Sequence, residues 1–93
     1  MTQFEMNKKA AELLEELKTA KHDISYTIID EFGSPLKMND TGNLYDIYAY
    51  EDFYGVYTNE YRVDSRKNND SEIEKAIAKA LEMGSLIKRE ELL

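Results

Sequence analysis

The 93-residue chain carries 19 acidic and 12 basic residues, for a formal net charge of −7, with one proline and neither cysteine nor tryptophan. That length allows one domain, residues 1–93, with a thin core and little room for an enclosed catalytic cavity. The composition excludes a disulfide scaffold, a thiolate zinc site and a cysteine nucleophile, and the negative balance argues against direct binding of nucleic acid or an anionic membrane.

In chain order, Thr2 and Glu5 match a helix capping box, in which the cap hydroxyl and the N3 carboxylate satisfy each other's backbone donors. Met6, Ala10, Leu13, Leu14 and Leu17 follow at three- and four-residue steps. This spacing predicts an amphipathic helix over Gln3–Lys21. Ile24–Ile29 is β-branched and aromatic and predicts a strand, with Ile24, Tyr26 and Ile28 on one face. Phe32–Asn43 holds two glycines and the sole proline and predicts a loop. A second strand is expected over Leu44–Tyr50 and a third over Phe53–Val63, joined by a tight turn at Glu51 and Asp52. That turn pairs Tyr50 with Phe53, Tyr48 with Gly55 and Asp46 with Tyr57. It puts Tyr45, Ile47, Ala49, Tyr54 and Val56 on one face.

Ser65–Asp70 reads as a polar connection. Ser71 with Glu74 offers a second capping box, and Ile73, Ala76, Ile77, Ala80 and Leu81 form a helical stripe. Gly84 stands where a helix C-cap glycine belongs. Ser85–Leu93 predicts either a short third helix packing back or a frayed tail. The expected fold class is therefore α+β: helix, three-stranded antiparallel sheet, helix (αβββα), both helices on one sheet face, the other face open. Disorder is rejected, because 42% of residues are apolar and they recur at regular spacings.

The charge is not spread evenly. Residues 1–22 hold four acids and four bases, and residues 65–93 hold six of each. The whole excess lies in residues 23–64, where nine acids meet only Lys37 and Arg62. The same stretch contains all seven tyrosines. Tyrosine is enriched in binding surfaces because it offers large contact area at low entropy cost. It is equally a good strand former, and acids in loops keep a small protein in solution. On the binding reading, Asp46, Glu51, Asp52, Glu60 and Asp64 supply charge and Tyr48, Tyr50 and Tyr57 supply packing.

Catalytic chemistry is not signalled. His22 is the only histidine, and no serine–histidine–acid set or metal cluster accompanies it. Asp30/Glu31, Glu51/Asp52 and Glu90/Glu91 are adjacent pairs, and neighbours on a strand point to opposite faces. No EF-hand spacing or phosphate-cradling glycine pattern is present. The expectation is a protein that is not an enzyme and takes no cofactor or metal. Nor does the chain contain an apolar run of the roughly 20 residues a membrane helix needs. Its charged, amphipathic start does not read as a signal peptide, which gives a cytoplasmic expectation.

The element order resembles the double-stranded RNA-binding domain over roughly residues 7–84. Phe32, Gly33, Ser34 and Pro35 stand where that family has its Gly-Pro loop, and Ala78, Lys79, Ala80 and Leu81 look like its second-helix core. The loop has no histidine, and the second helix opens with Asp70, Ser71, Glu72, Ile73 and Glu74 in place of clustered lysines. The resemblance therefore implies a shared shape without the RNA grip. In size, acidity and lack of cysteine the chain also resembles small phage-encoded inhibitors, among them anti-CRISPR and anti-restriction proteins that imitate nucleic acid. That resemblance implies a bacterial host's cytoplasm. It also implies a protein partner with a basic surface, such as a CRISPR or restriction nuclease. The alternative expectation is a small module that self-associates through the open sheet face or an unpaired edge strand.

Overall fold

The computed structural model describes residues 2–36, 46–50, 52–57 and 62–88. Helix α1 spans Gln3–Thr19. Strands β1 (Ile24–Ile29), β2 (Asp46–Tyr50), β3 (Phe53–Tyr57) and β4 (Arg62–Asp64) follow, then helix α2 (Asp70–Leu81) and strand β5 (Ser85–Lys88). The fold class is α+β, with the helix–strands–helix order expected.

The sheet has five antiparallel strands rather than three, in the order β4-β3-β2-β1-β5. Two corrections account for the difference. The long third strand is two strands, because Val56 pairs with Val63 and the chain reverses between them. The tail is neither helical nor frayed over Ser85–Lys88; it returns to the far edge and pairs with β1. Leu86 there sits opposite Ile28 and packs against the core, so a two-residue alternation wins over a helical one.

The β2–β3 hairpin has the expected register: Tyr50 with Phe53, Tyr48 with Gly55, Asp46 with Tyr57. Tyr45 and Glu51 lie outside the described residues. One sheet face carries Tyr26, Ile28, Ile47, Ala49, Tyr54, Val56, Val63 and Leu86 against both helices. From the helices come Ala10, Leu13, Leu14 and Leu17, and Ile73, Ala76, Ile77, Ala80 and Leu81. Ile28, Ile47, Ile73 and Ile77 are fully buried at the centre. Burying a side chain of that size contributes about 1.5–3 kcal/mol.

Both helix starts are capped. The Glu5 amide donates to the Thr2 hydroxyl at 3.1 Å, as expected. At α2 the box is Asn69 with Glu72, two residues before the expected Ser71 with Glu74. The earlier start puts Asp70 at the first helical position. From there it accepts from Lys18 Nζ at 2.8 Å and from the Tyr54 hydroxyl at 2.8 Å. One carboxylate thus ties the end of α1, the start of α2 and strand β3 together. Gly84 is not the cap; α2 ends at Leu81 and Glu82 is its C-cap. A Cβ on Gly84 would stand 2.2 Å from the Ile29 carbonyl oxygen, so the glycine lets β5 approach β1.

Candidate functional site

The sheet face turned away from the helices carries Ser25, Thr27 and Ile29 from β1, and Asp46, Tyr48 and Tyr50 from β2. Phe53, Gly55 and Tyr57 from β3, Arg62 and Asp64 from β4, and Ser85 and Ile87 from β5 complete it. This assignment follows from the pairing, since residues opposite each other across antiparallel strands share a face. Five of the eight expected contact residues stand here, namely Asp46, Tyr48, Tyr50, Tyr57 and Asp64. Asp52 lies exposed at the hairpin tip. Glu51 and Glu60 lie outside the described residues.

The face is not bare. Tyr48 is 3% exposed, and Thr27 and Asp64 are fully buried. Tyr48 and Tyr50 stack with ring centroids 5.0 Å apart, and Phe53 meets both edge-on at 5.7 and 5.5 Å. The Arg66 guanidinium lies 3.7 Å from the Phe53 ring centroid. Arg62 stands over Tyr57 at 5.2 Å. Gly55 makes space at the centre, because a Cβ there would come within 2.2 Å of the Val63 carbonyl oxygen.

Asp64 therefore corrects the expectation of a presented charge. Its Oδ1 accepts from the Arg66 amide at 2.9 Å, and its Oδ2 accepts from Arg66 Nη2 at 3.0 Å. The Arg66 guanidinium holds the Asp64 carboxyl below the usual carboxylate range, and Asp64 raises Arg66 in turn. A fully buried carboxylate bonded to its own turn is a structural anchor. Tyr48 is likewise packed from beneath, and burial pushes its hydroxyl's pKa up. That hydroxyl and Ser25 Oγ, opposite each other across β1 and β2, are buried with no hydrogen-bond partner among the described residues.

What the surface presents is narrower. Tyr50 is 45% exposed and forms one wall of a cleft of about 280 Å³ with Ala20, Lys21, His22 and Asp23. Asp23, Glu31 and Asp52 are exposed, and Asp46 and Asp30 are half-buried. Asp46 Oδ1 accepts from the Thr27 hydroxyl at 3.3 Å. Asp30 Oδ1 accepts from the amides of Phe32 and Ser34 at 2.8 and 2.9 Å, which shapes the turn after β1. The sequence reading missed the Tyr50–Asp23 wall and the Arg66–Phe53 contact. The first follows from extending the observed β1–β2 register by one residue, a pairing that no turn in the sequence fixes. The second had a weak signal, an aspartate followed two residues later by arginine at a strand end, which is an Asx-turn spacing.

Among the described residues, no group of three or more histidine or acidic side chains converges as metal ligands would, and no helix is long and apolar enough to cross a membrane. Compared with known protein families, with curated proteins and with solved structures, the chain finds no match.

Proposed function

We propose that this protein is a non-enzymatic inhibitor that occupies a basic, nucleic-acid-binding groove on a nuclease or another nucleic-acid-processing protein of a bacterial host. The observation that carries the reading is charge segregation: the excess of −7 belongs wholly to residues 23–64, and the flanking helical regions are neutral. Acids gathered in the sheet region orient the protein on a basic groove as it approaches, which speeds association and sets specificity more than it deepens affinity. Asp23, Asp46 and Asp52 supply charge, with Glu51 and Glu60 from the same stretch. Tyr50 and Tyr57 supply contact area. Tyr48 and Asp64 hold that surface from beneath.

The test is a cleavage assay on a panel of CRISPR and restriction nucleases, with the protein in micromolar excess. Cleavage by a target nuclease falls, and the inhibition weakens as salt rises. The double variant Asp23→Lys, Asp52→Lys loses potency by about tenfold or more, since like charges across an interface cost several kcal/mol. Full cleavage by every nuclease at excess protein, or inhibition indifferent to both salt and the double variant, overturns the reading.

A further inference from the structure

The two edges of the sheet differ. In β4 the edge-facing backbone groups are those of Asp64 and Arg62, because the Ser65 amide bonds the Tyr54 carbonyl and fixes the alternation. The following turn closes this edge at Asp64. Its N–H donates to Asn68 Oδ1 at 3.2 Å, and its carbonyl accepts from the amides of Lys67 and Asn68 at 3.1 and 2.8 Å. In β5 the same reasoning starts from Ile28, whose carbonyl accepts from the Leu36 amide on the side away from β5. Ile28 and Leu86 are therefore a non-hydrogen-bonded pair, and the N–H and C=O of Leu86 and Lys88 point outward. Among the described residues nothing pairs with them. The strand has no proline and no bulge; what blunts this edge is its four-residue length and the charge of Lys88.

We propose that β5 is a dimerisation edge, and that its occupant is β5 of a second copy of this chain, paired antiparallel about Leu86. Only even-numbered residues of β5 have bonding groups facing outward, so a two-fold axis normal to the sheet passes through Leu86, through Lys88, or through the non-hydrogen-bonded position Ile87 between them. An axis at Ile87 sets each Lys88 opposite Leu86, where its charge meets no acid. An axis at Lys88 sets two like charges directly opposite each other, which is unfavourable. An axis at Leu86 sets Leu86 against its counterpart and Lys88 against Gly84 of the other copy. Continuing the β1–β5 register by one residue places Asp30 next in that row. Lys88, Gly84 and Asp30 share the helix-side face by alternation. Gly84 has no side chain to block the approach, and neighbouring strands are about 4.8 Å apart, so the lysine reaches over it toward Asp30. The symmetry makes this contact twice. It also keeps both helix layers on one side of a ten-stranded sheet and both tyrosine-bearing faces on the other.

The interface is short, so the dimer is weak, at the low end of the size range for transient contacts. Sedimentation over a hundredfold range of protein concentration reports a monomer–dimer equilibrium. Amide exchange at Leu86 and Lys88 slows as the dimer fills, whereas Ser85 and Ile87, already bonded to β1, do not change with concentration. Lys88→Glu weakens the dimer on the order of tenfold by replacing two attractions with two repulsions. A monomer at every concentration overturns the proposal. So does a dimer in which the Leu86 and Lys88 amides exchange as fast as in the monomer, which places the contact elsewhere, for example on the tyrosine face. A Lys88→Glu dimer as tight as the parent overturns the register. None of these outcomes depends on nuclease inhibition.

Discussion

Two tyrosine hydroxyls of this small molecule are placed under opposite conditions. The Tyr54 hydroxyl donates to Asp70, which itself accepts from Lys18. The Tyr48 hydroxyl is buried with nothing to bond to among the described residues. A buried polar group stripped of water without a partner costs about 1–3 kcal/mol, whereas a made hydrogen bond to a charged acceptor contributes about 1.5–3 kcal/mol. Removing each hydroxyl therefore has opposite signs. Tyr54→Phe lowers the unfolding free energy by about 1–2 kcal/mol, and Tyr48→Phe leaves it equal or raises it by up to about 1 kcal/mol. Urea denaturation of the two variants beside the parent checks the pair. Loss of stability on Tyr48→Phe would mean that the hydroxyl is bonded after all. The phenyl ring remains stacked on Tyr50 and Phe53 in either case, so packing does not confuse the comparison.

At the scale of elements, the close approaches of Gly55 and Gly84 decide the sheet's width. Gly84→Ala drives a methyl to 2.2 Å from a backbone oxygen of β1, which cannot yield as a flexible side chain would. The expected outcome is detachment of β5 while the helices persist. Exchange protection is lost at Ser85 and Ile87 and on the β5-facing amides Thr27 and Ile29, with little change in helical circular dichroism. Unchanged protection at those four amides overturns this account. The helices were legible in the sequence because their stripes repeat over several turns and each carries a cap. The β2–β3 hairpin register was legible because a two-residue turn leaves only one pairing. The two missed strands were too short to announce themselves. Arg62–Asp64 offers three residues, and Ser85–Lys88 has one inward apolar side chain, so periodicity had almost nothing to act on. The true α2 cap was hidden because Asn69 and Ser71 each precede a glutamate at the right distance. Tertiary contacts of Asp70 separate the two boxes, and those contacts cannot be read from local spacing. The surface was legible only in part. Alternation told which tyrosines leave the core, but burial of Asp64 follows from a bend in the chain that its own side chain makes.

For the whole molecule, acid is the condition that should unfasten it. Asp64 and Asp70 both titrate below their ordinary values. Asp64 is held down first by its Arg66 bond, and Asp70 by its Lys18 and then its Tyr54 bond. A carboxyl depressed by folding stabilises the native state fully above its unfolded value, near 4, and loses that contribution as pH falls through the lower native value. Stability is therefore flat from neutrality to about pH 5 and declines below about pH 4. Asp64→Asn, already uncharged, lowers the plateau and flattens the acid limb. Denaturation midpoints at a series of pH values test this. An acid limb as steep in Asp64→Asn as in the parent would remove Asp64 from the account. The distribution of charge has a different role. Of the acids in residues 23–64, Asp64 is committed inside, whereas Asp23, Glu31 and Asp52 are exposed in loops and at a hairpin tip. In the proposed binding, these exposed acids steer the approach while Tyr50 makes contact.

The place of β5 in the sheet also decides which edge the molecule exposes. β1 finds β2 only 19 to 25 residues along the chain, but its other neighbour lies 56 to 62 residues away. Closing the second loop costs more chain entropy than closing the first, because the cost rises with the logarithm of loop length. Until it closes, β1 is itself an edge, with Ile28 and its neighbours open to any passing strand. A chain with β5 unpaired thus exposes an edge more apolar than the one the complete fold keeps. Pairing of β5 withdraws that edge, and sets in its place the shorter strand that ends in Lys88.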